Sequence, residues 1–462
     1  MKTGDQQRTR TLWLVGVLHG FTHLYQVALL PLYLRIQADL KLNSVEQATL
    51  LVTAMGLAYF IPSYPLGALA DRLSRKKLLT TGLVINALGF IGLSMAPNYG
   101  WALASVVLAG FGGTFYHPAA TALIARMFPE AKGRALGLVG IGASAGFFLG
   151  PIYCGWRAVV SGSWREPVLE IGVLGLIGAC LFAWLAREER PVDLGEGQKS
   201  QAHRGGDGSA PQLLGLPGTS RPRPDASLAG LGSSKSEKMF PTPTLWAFFL
   251  GASFALSLRD FAGMAMATSA SLFLQNAHGF NPKSAGLALS GIYLASAISN
   301  PLFGGLSDGG RMRWVSFVLL MSAAFICAFP RVPVAWMVPV LLAFGFFFMA
   351  SYPITEAALM ETVHDSVRGR VFGLFITIGG LVGNLSHWVV GSWVQRLGAR
   401  AFSPGSYFPL YATLALLVVA SLAGLPCLHA IRKREVRGGV TDPSPRPSPL
   451  GVEREKTQRM GT

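Results

Sequence analysis

Charge is missing from long stretches of this chain. With every Asp, Glu, Lys and Arg marked, the uncharged runs are 11–34, 47–70, 78–125, 135–156, 171–186, 239–258, 261–282, 284–307, 314–330, 332–355, 371–395 and 401–431. A helix needs about 20 mostly apolar residues to cross hydrocarbon, with a range of roughly 17 to 25. The run 78–125 is too long for one span and breaks at the turn signal Pro97-Asn98-Tyr99-Gly100 into two helices. The short run 171–186 begins nearer Val168. The runs flanking Arg259-Asp260 read as one helix, roughly 244–271, with the charged pair inside it and Asn276–Pro282 as a loop. Twelve spans result, and the fold class expected is all-α integral membrane, in two pseudo-symmetric six-helix bundles. Only 13% of the residues are charged, about half the usual share in a soluble protein. With a mean hydropathy of +0.43, that excludes an ordinary soluble enzyme and a disordered chain. Residues 11–34 are too long for a secretory leader core and read as the first span.

The net charge of +16 raises three possibilities: nucleic acid, a membrane surface, or topology. If both termini face the cytoplasm, the inner loops and tails hold 30 of the 39 Lys and Arg, and the outer loops hold 8. That bias satisfies the positive-inside rule, so the basic balance needs no nucleic acid to explain it. The location expected is the cell (inner) membrane, multi-pass, with the bilayer as a partner. Cys154, Cys180, Cys327 and Cys427 lie far apart in apolar segments and read as small core residues.

The domains expected are a cytoplasmic N-tail over 1–10, a six-helix bundle over 11–186, a Gly/Ser/Pro-rich cytoplasmic linker over 187–242, a second bundle over 243–431 and a disordered tail over 432–462. The two halves repeat. Gly67-x-x-x-Asp71 recurs as Gly304-x-x-x-Asp308, 237 residues on. Lys132-Gly133-Arg134-Ala135-Leu136-Gly137-Leu138 recurs as Arg368-Gly369-Arg370-Val371-Phe372-Gly373-Leu374, 236 on, and Pro118 recurs as Pro353, 235 on. The same offset equates the region of His23 with Arg259-Asp260. Duplicated halves are a mark of transporters, with the substrate site between the repeats.

At these residues the sequence resembles the major facilitator superfamily. Gly67-Ala68-Leu69-Ala70-Asp71-Arg72-Leu73-Ser74-Arg75-Lys76-Lys77 is similar to the family signature between helices 2 and 3, with a degenerate counterpart at Gly304 and Asp308. Gly137, Gly146, Gly150 and Pro151 fall at the spacing of its helix 5 antiporter motif, although Cys154-Gly155 replaces the final Gly-Gly. Within the superfamily the sequence looks most like fosmidomycin-resistance-type efflux proteins. Phe115-Tyr116-His117-Pro118, His19-x-x-x-His23-Leu24-Tyr25 and Leu258-Arg259-Asp260-Phe261 carry that likeness. Two departures stand out: His23 occupies the place of an expected Asp, and the Arg common in helix 4 of proton antiporters is absent from Val106-Val107-Leu108.

In the fold so implied, helices 1, 4, 7 and 10 line a central cavity, and they hold most of the ionisable groups: His19, His23, His117, Arg259, Asp260 and Glu356. An ionisable group inside a bilayer costs several kcal/mol, so its position carries information. Arg259 and Asp260 project about 100° apart on a helix and are not expected to pair. Arg259 is a candidate to pair with Glu356 or to bind an anionic substrate, and Asp260 or Glu356 to carry a coupling proton. The alternative is a fixed salt bridge between helices 7 and 10. His19 and His23 share a helix face at metal-ligand spacing, but no further ligand is evident, so no metal is expected and a cavity wall, proton relay or structural pair remains open. His117 precedes the helix-loosening Pro118 and suits gating or binding. Tyr116 and Tyr352 suit stacking or hydrogen bonding; Asn384 and His387 read as interhelical contacts. The resemblance implies a charge-dipole latch at Asp71, Arg72 and Arg75, with plain topology as the alternative for the basic residues, and close packing by the helix 5 glycines.

The function expected is secondary active transport of a small molecule by alternating access, as a monomer, in the form of proton-coupled efflux. Uptake symport of a metabolite or anion, or a non-transporting sensor on the same fold, are the competing readings. No P-loop or enzyme constellation is present, so neither direct ATP drive, a cofactor nor an enzyme activity is expected.

Overall fold

The computed structural model describes residues 3–63, 65–66, 73–128, 131–186, 239–363 and 367–437. Its twelve spans run in chain order. Helices 1 to 3 are Thr3–Val27, Val45–Phe60 and Arg75–Ser94. Helix 4 is made of Tyr99–Thr114 and Tyr116–Met127, followed by helix 5, Lys132–Ser161, and helix 6, Arg165–Leu185. Helix 7 is Pro243–His278, and helix 8 comprises Pro282–Leu294 and Ser296–Leu306. Helices 9 to 11 are Arg311–Ala328, Val334–Met360 and Arg368–Leu397; helix 12 comprises Phe408–Ser421 and Gly424–Arg437. Ten segments of the described chain are long and apolar enough to cross a membrane on those criteria alone. Helix 2 falls short at 16 residues, and helix 4 is interrupted at Phe115. Pro118 contributes to that break, because it leaves the Thr114 carbonyl without its helical donor.

Local chemistry sets the ends. Ser74 caps helix 3 through the Lys77 amide, and Asn98 caps helix 4 through the Trp101 amide. Thr242 and Asn281 cap helices 7 and 8, each followed by a proline at the first helical position. Helix 7 runs seven residues beyond the expected end at 271, so Asn276 and Ala277 are helical. Gly279 ends it at φ +66, with the Phe280 amide donating to the Leu274 carbonyl at 2.9 Å. Residues from Thr3 are already helical, and helix 12 continues past 431 to Arg437. The expected linker, save its last four positions, and the tail after Arg437 lie outside the described residues.

Packing repeats as the sequence does. Helix 1 lies on helix 5 as helix 7 lies on helix 11, and helix 3 meets helices 4 and 6 as helix 9 meets helices 10 and 12. Between the bundles, helix 5 meets helix 8 and helix 11 meets helix 2. These inter-bundle contacts gather on the side remote from the start of helix 1. There Ser271 donates to the Leu30 carbonyl, Ser290 donates to the Phe148 carbonyl, and the Trp388 indole donates to Glu46. The Thr53 hydroxyl bridges one rung of helix 11, donating to the Asn384 carbonyl and accepting from the Trp388 amide. Glycines allow the close approach: a Cβ at Gly286 would strike the Pro151 carbonyl, and one at Gly155 the Pro282 carbonyl. Among the described residues the hydrogen bonds between the bundles thus run from the far side to mid-depth at Thr53, and none is found on the near side.

Gly286→Val is expected to break the seal between helices 5 and 8. Spin labels at the exposed far-side positions Lys41 and Arg400 would read longer distances than in the unmodified protein; an unchanged distance distribution would count against this packing.

Candidate functional site

Two clusters of ionisable groups lie on helices 1, 4, 7 and 10, one in each bundle. The first joins helices 1 and 4. His19 and His23, one turn apart, bring their Nε2 atoms to 3.1 Å. The far nitrogen of each ring is also held: His19 Nδ1 lies 3.0 Å from the Val139 carbonyl of helix 5, and His23 Nδ1 lies 2.9 Å from Gln26 Oε1. Tyr116 stacks on His19 at 4.7 Å and donates its hydroxyl to the Val15 carbonyl at 2.9 Å. His117 arrives just after the break in helix 4, with its ring 5.3 Å from His19 and 5.6 Å from His23. It remains exposed while the other two are half-buried, so it borders the open space.

The second cluster joins helices 7 and 10. The expectation that Arg259 and Asp260 do not pair is overturned: Arg259 Nη2 lies 2.8 Å and Nε 3.1 Å from Asp260 Oδ1. The Cβ atoms of neighbouring residues diverge, but the long guanidinium arm curls back. With Arg259 only 1% exposed there is no water to hold its charge, and the nearest carboxylate takes that place. The link to helix 10 is made otherwise. Arg259 Nη1 donates to Thr355 Oγ1 at 3.2 Å, and the guanidinium lies 4.2 Å above the Tyr352 ring. The expected Arg259–Glu356 alternative is absent among the described ion pairs, and Glu356, half-buried, has none within 4.0 Å there. Gly379 of helix 11 leaves room for the Asp260 carboxylate, which would lie 2.5 Å from a Cβ at that position.

The chain's sequence matches the profile of the Major Facilitator Superfamily over residues 12–387. It belongs to that superfamily. A stretch of 119 residues is 31% identical to multidrug resistance protein MdtH of Shigella dysenteriae serotype 1 (strain Sd197), covering 26% of this chain and 29% of the relative. A longer stretch of 266 residues is 27% identical to quinolone resistance protein NorA of Staphylococcus aureus (strain Mu50 / ATCC 700699), covering 57% of this chain and 58% of the relative. The chain thus spans less than two thirds of these curated relatives. The fold is similar to the crystal structure of a bacterial homolog to the human lysosomal transporter Spinster, in its inward-facing and unoccupied conformation. The TM-score is 0.65 at 18% identity, covering 95% of this chain and 98% of that one. The protein is a multi-pass helical membrane protein of that superfamily.

The family motifs divide unevenly over this facilitator. Gly67, Asp71 and Arg72 lie outside the described residues; Arg75 is buried at the start of helix 3. In the second bundle, Asp308 pairs with Arg311 at 3.1 Å and Arg311 with Glu361 at 2.7 Å, tying the loop beside Gly304 to the end of helix 10. In helix 5, Gly146 packs on the Gly20 backbone and Gly150 on that of Leu24, while Pro151 belongs to the far-side seal. The sequence reading named His387 as an interhelical contact but missed its partners at that seal. Tyr33 lies 3.2 Å from Thr268 Oγ1, which lies 2.5 Å from His387 Nδ1, so the short helix Tyr33–Asp39 that follows helix 1 meets helices 7 and 11 through one side chain. Phe147 stacking on Tyr293 at 4.9 Å was missed as well. The available signal was the polar run Thr268-Ser269-Ala270-Ser271 in an otherwise apolar span.

The buried pair gives a clear expectation for stability. Asp260→Leu leaves Arg259 charged and unpaired and should cost about 3–5 kcal/mol, whereas Arg259→Met combined with Asp260→Leu should recover most of that loss. Thermal unfolding in detergent checks it; a double variant no more stable than the single one would contradict the pairing.

Proposed function

We propose that this facilitator expels a small molecule in exchange for protons, acting as a monomer with both termini in the cytoplasm. The observation that carries the reading is the one-sided bonding between the bundles: hydrogen bonds from the far side to mid-depth and, among the described residues, none on the near side, which in this reading leaves a gap there beside the exposed His117. The charge bias of the loops makes the near side cytoplasmic, so the gap opens inward. In this reading Glu356 is the proton carrier. Asp260 is held by its neighbouring guanidinium, while Glu356 has no such clamp. Arg259, held at Tyr352 and Thr355, attracts an anionic substrate group, and His19, His23, Tyr116 and His117 form the opposite wall. Asp71, Arg72 and Arg75, with Gly67, latch the near side when it closes; the ion pairs around Asp308 serve the same end in the second bundle. The likeness of helices 1, 4 and 7 to fosmidomycin-resistance-type proteins supports efflux, as do the names of the multidrug and quinolone resistance relatives.

The test uses protein reconstituted in vesicles, with quinolones as the first compounds of a thermal-shift ligand screen. Substrate and protons are expected to move in opposite directions. Glu356→Gln should lower the coupled proton flux at least about tenfold, the scale of 1.4 kcal/mol, while leaving ligand-induced thermal stabilisation in place. Parallel flow would replace exchange with symport, and no substrate flux at all would favour a sensor. Full coupled flux in Glu356→Gln would remove that residue from the proton route.

A further inference from the structure

We propose that His19, His23 and His117 bind one divalent transition-metal ion of the zinc class, with its fourth position open to the gap between the bundles. The sequence reading stopped at two histidines on one helix face; the fold brings the third from helix 4. The ligand nitrogens of all three lie within 4.8 Å of one another. Tetrahedral zinc with bonds of about 2.0–2.1 Å to imidazole needs nitrogens about 3.3 Å apart. His19 and His23 already stand at 3.1 Å. The remaining closure falls to His117, whose ring is exposed and follows the break at Phe115.

Hydrogen bookkeeping points the same way. The Val139 carbonyl can only accept, so His19 Nδ1 carries a hydrogen and a neutral His19 turns the Nε2 lone pair inward. Gln26 Oε1 likewise asks for a hydrogen on His23 Nδ1, which turns the second Nε2 lone pair inward too. Two lone pairs then face each other, an arrangement that a cation between or beside them satisfies. Metal-bound histidines show this pattern, with the outer nitrogen donating to a carbonyl and the inner one ligating. A proton shared by His19 and His23 would satisfy the pair alone, but it gives no part to His117.

The site is independent of the exchange reading, because binding is measured without transport. Full-length protein in nanodiscs, free of affinity tags and stripped with chelator, is titrated with zinc chloride by calorimetry. One equivalent is expected. His19→Ala, His23→Ala and His117→Ala should each abolish it, and Gln26→Leu, which removes only the outer support, should weaken it about 10–100-fold. Variants at His278 and His429 should bind as the unmodified protein does. X-ray absorption on the zinc-loaded protein reads the ligands without any variant: three imidazole nitrogens at about 2.0–2.1 Å are expected. No stoichiometric uptake, uptake retained in the triple variant, or a spectrum without three imidazoles would each overturn the proposal.

Discussion

Hydrocarbon gives helices no hydrophobic reason to associate, because lipid tails are as apolar as leucine. What holds this bundle pair together is close backbone approach and polar contact, and both depend on small residues at chosen places. Gly16 and Gly20 of helix 1 interleave with Gly142 and Gly146 of helix 5, so that each missing side chain is filled by the other helix's backbone. Between the bundles, Gly155 and Gly286 do the same for helices 5 and 8. Where backbones come this close, a serine or threonine hydroxyl reaches a main-chain carbonyl across the interface, as Ser271 and Ser290 do. The far-side seal thus rests on glycines and hydroxyls, with the Trp388 indole and the Phe147–Tyr293 stack set among them.

The internal repeat reuses one scaffold for two chemistries. Tyr116 on helix 4 stacks over His19, and Tyr352, 236 residues on, lies under Arg259. Gly142 and Gly146 face helix 1, and Gly379 and Gly383, 237 residues on, face Asp260 and Met264 of helix 7. In the first half this frame holds three imidazoles; in the second it holds a guanidinium, the carboxylate beside it and the nearby Glu356. One bundle thus presents three imidazoles, and the other a guanidinium clamped by its own neighbour.

Much of this was legible in the sequence, for reasons that are themselves physical. A span must be apolar for about 20 residues, so charge-free runs find it, and only helices 2 and 4 fall below a simple length test in the folded chain. The repeat was legible because Gly, Pro and charge mark the same turns in both halves. The end of helix 7 was misplaced, because Asn276 is as good a turn signal as Gly279 and only the left-handed backbone at Gly279 decides between them. The Arg259–Asp260 pairing was misjudged from helical wheel geometry, which fixes where Cβ points but not where a long side chain ends.

By itself the sequence determined the span count, the two-bundle architecture and the helices that would hold ionisable groups, because each follows from the price of charge and unpaired backbone in hydrocarbon. Tertiary structure alone decided who meets whom. It turned Arg259 back on Asp260, left Glu356 without an ion-pair partner among the described residues, made Thr268 the junction of Tyr33 with helices 7 and 11, and carried His117 from a distant helix to the two histidines of helix 1. Periodicity orders a helix along its own axis; contacts between helices depend on rotation, depth and side-chain reach, which no single helix encodes.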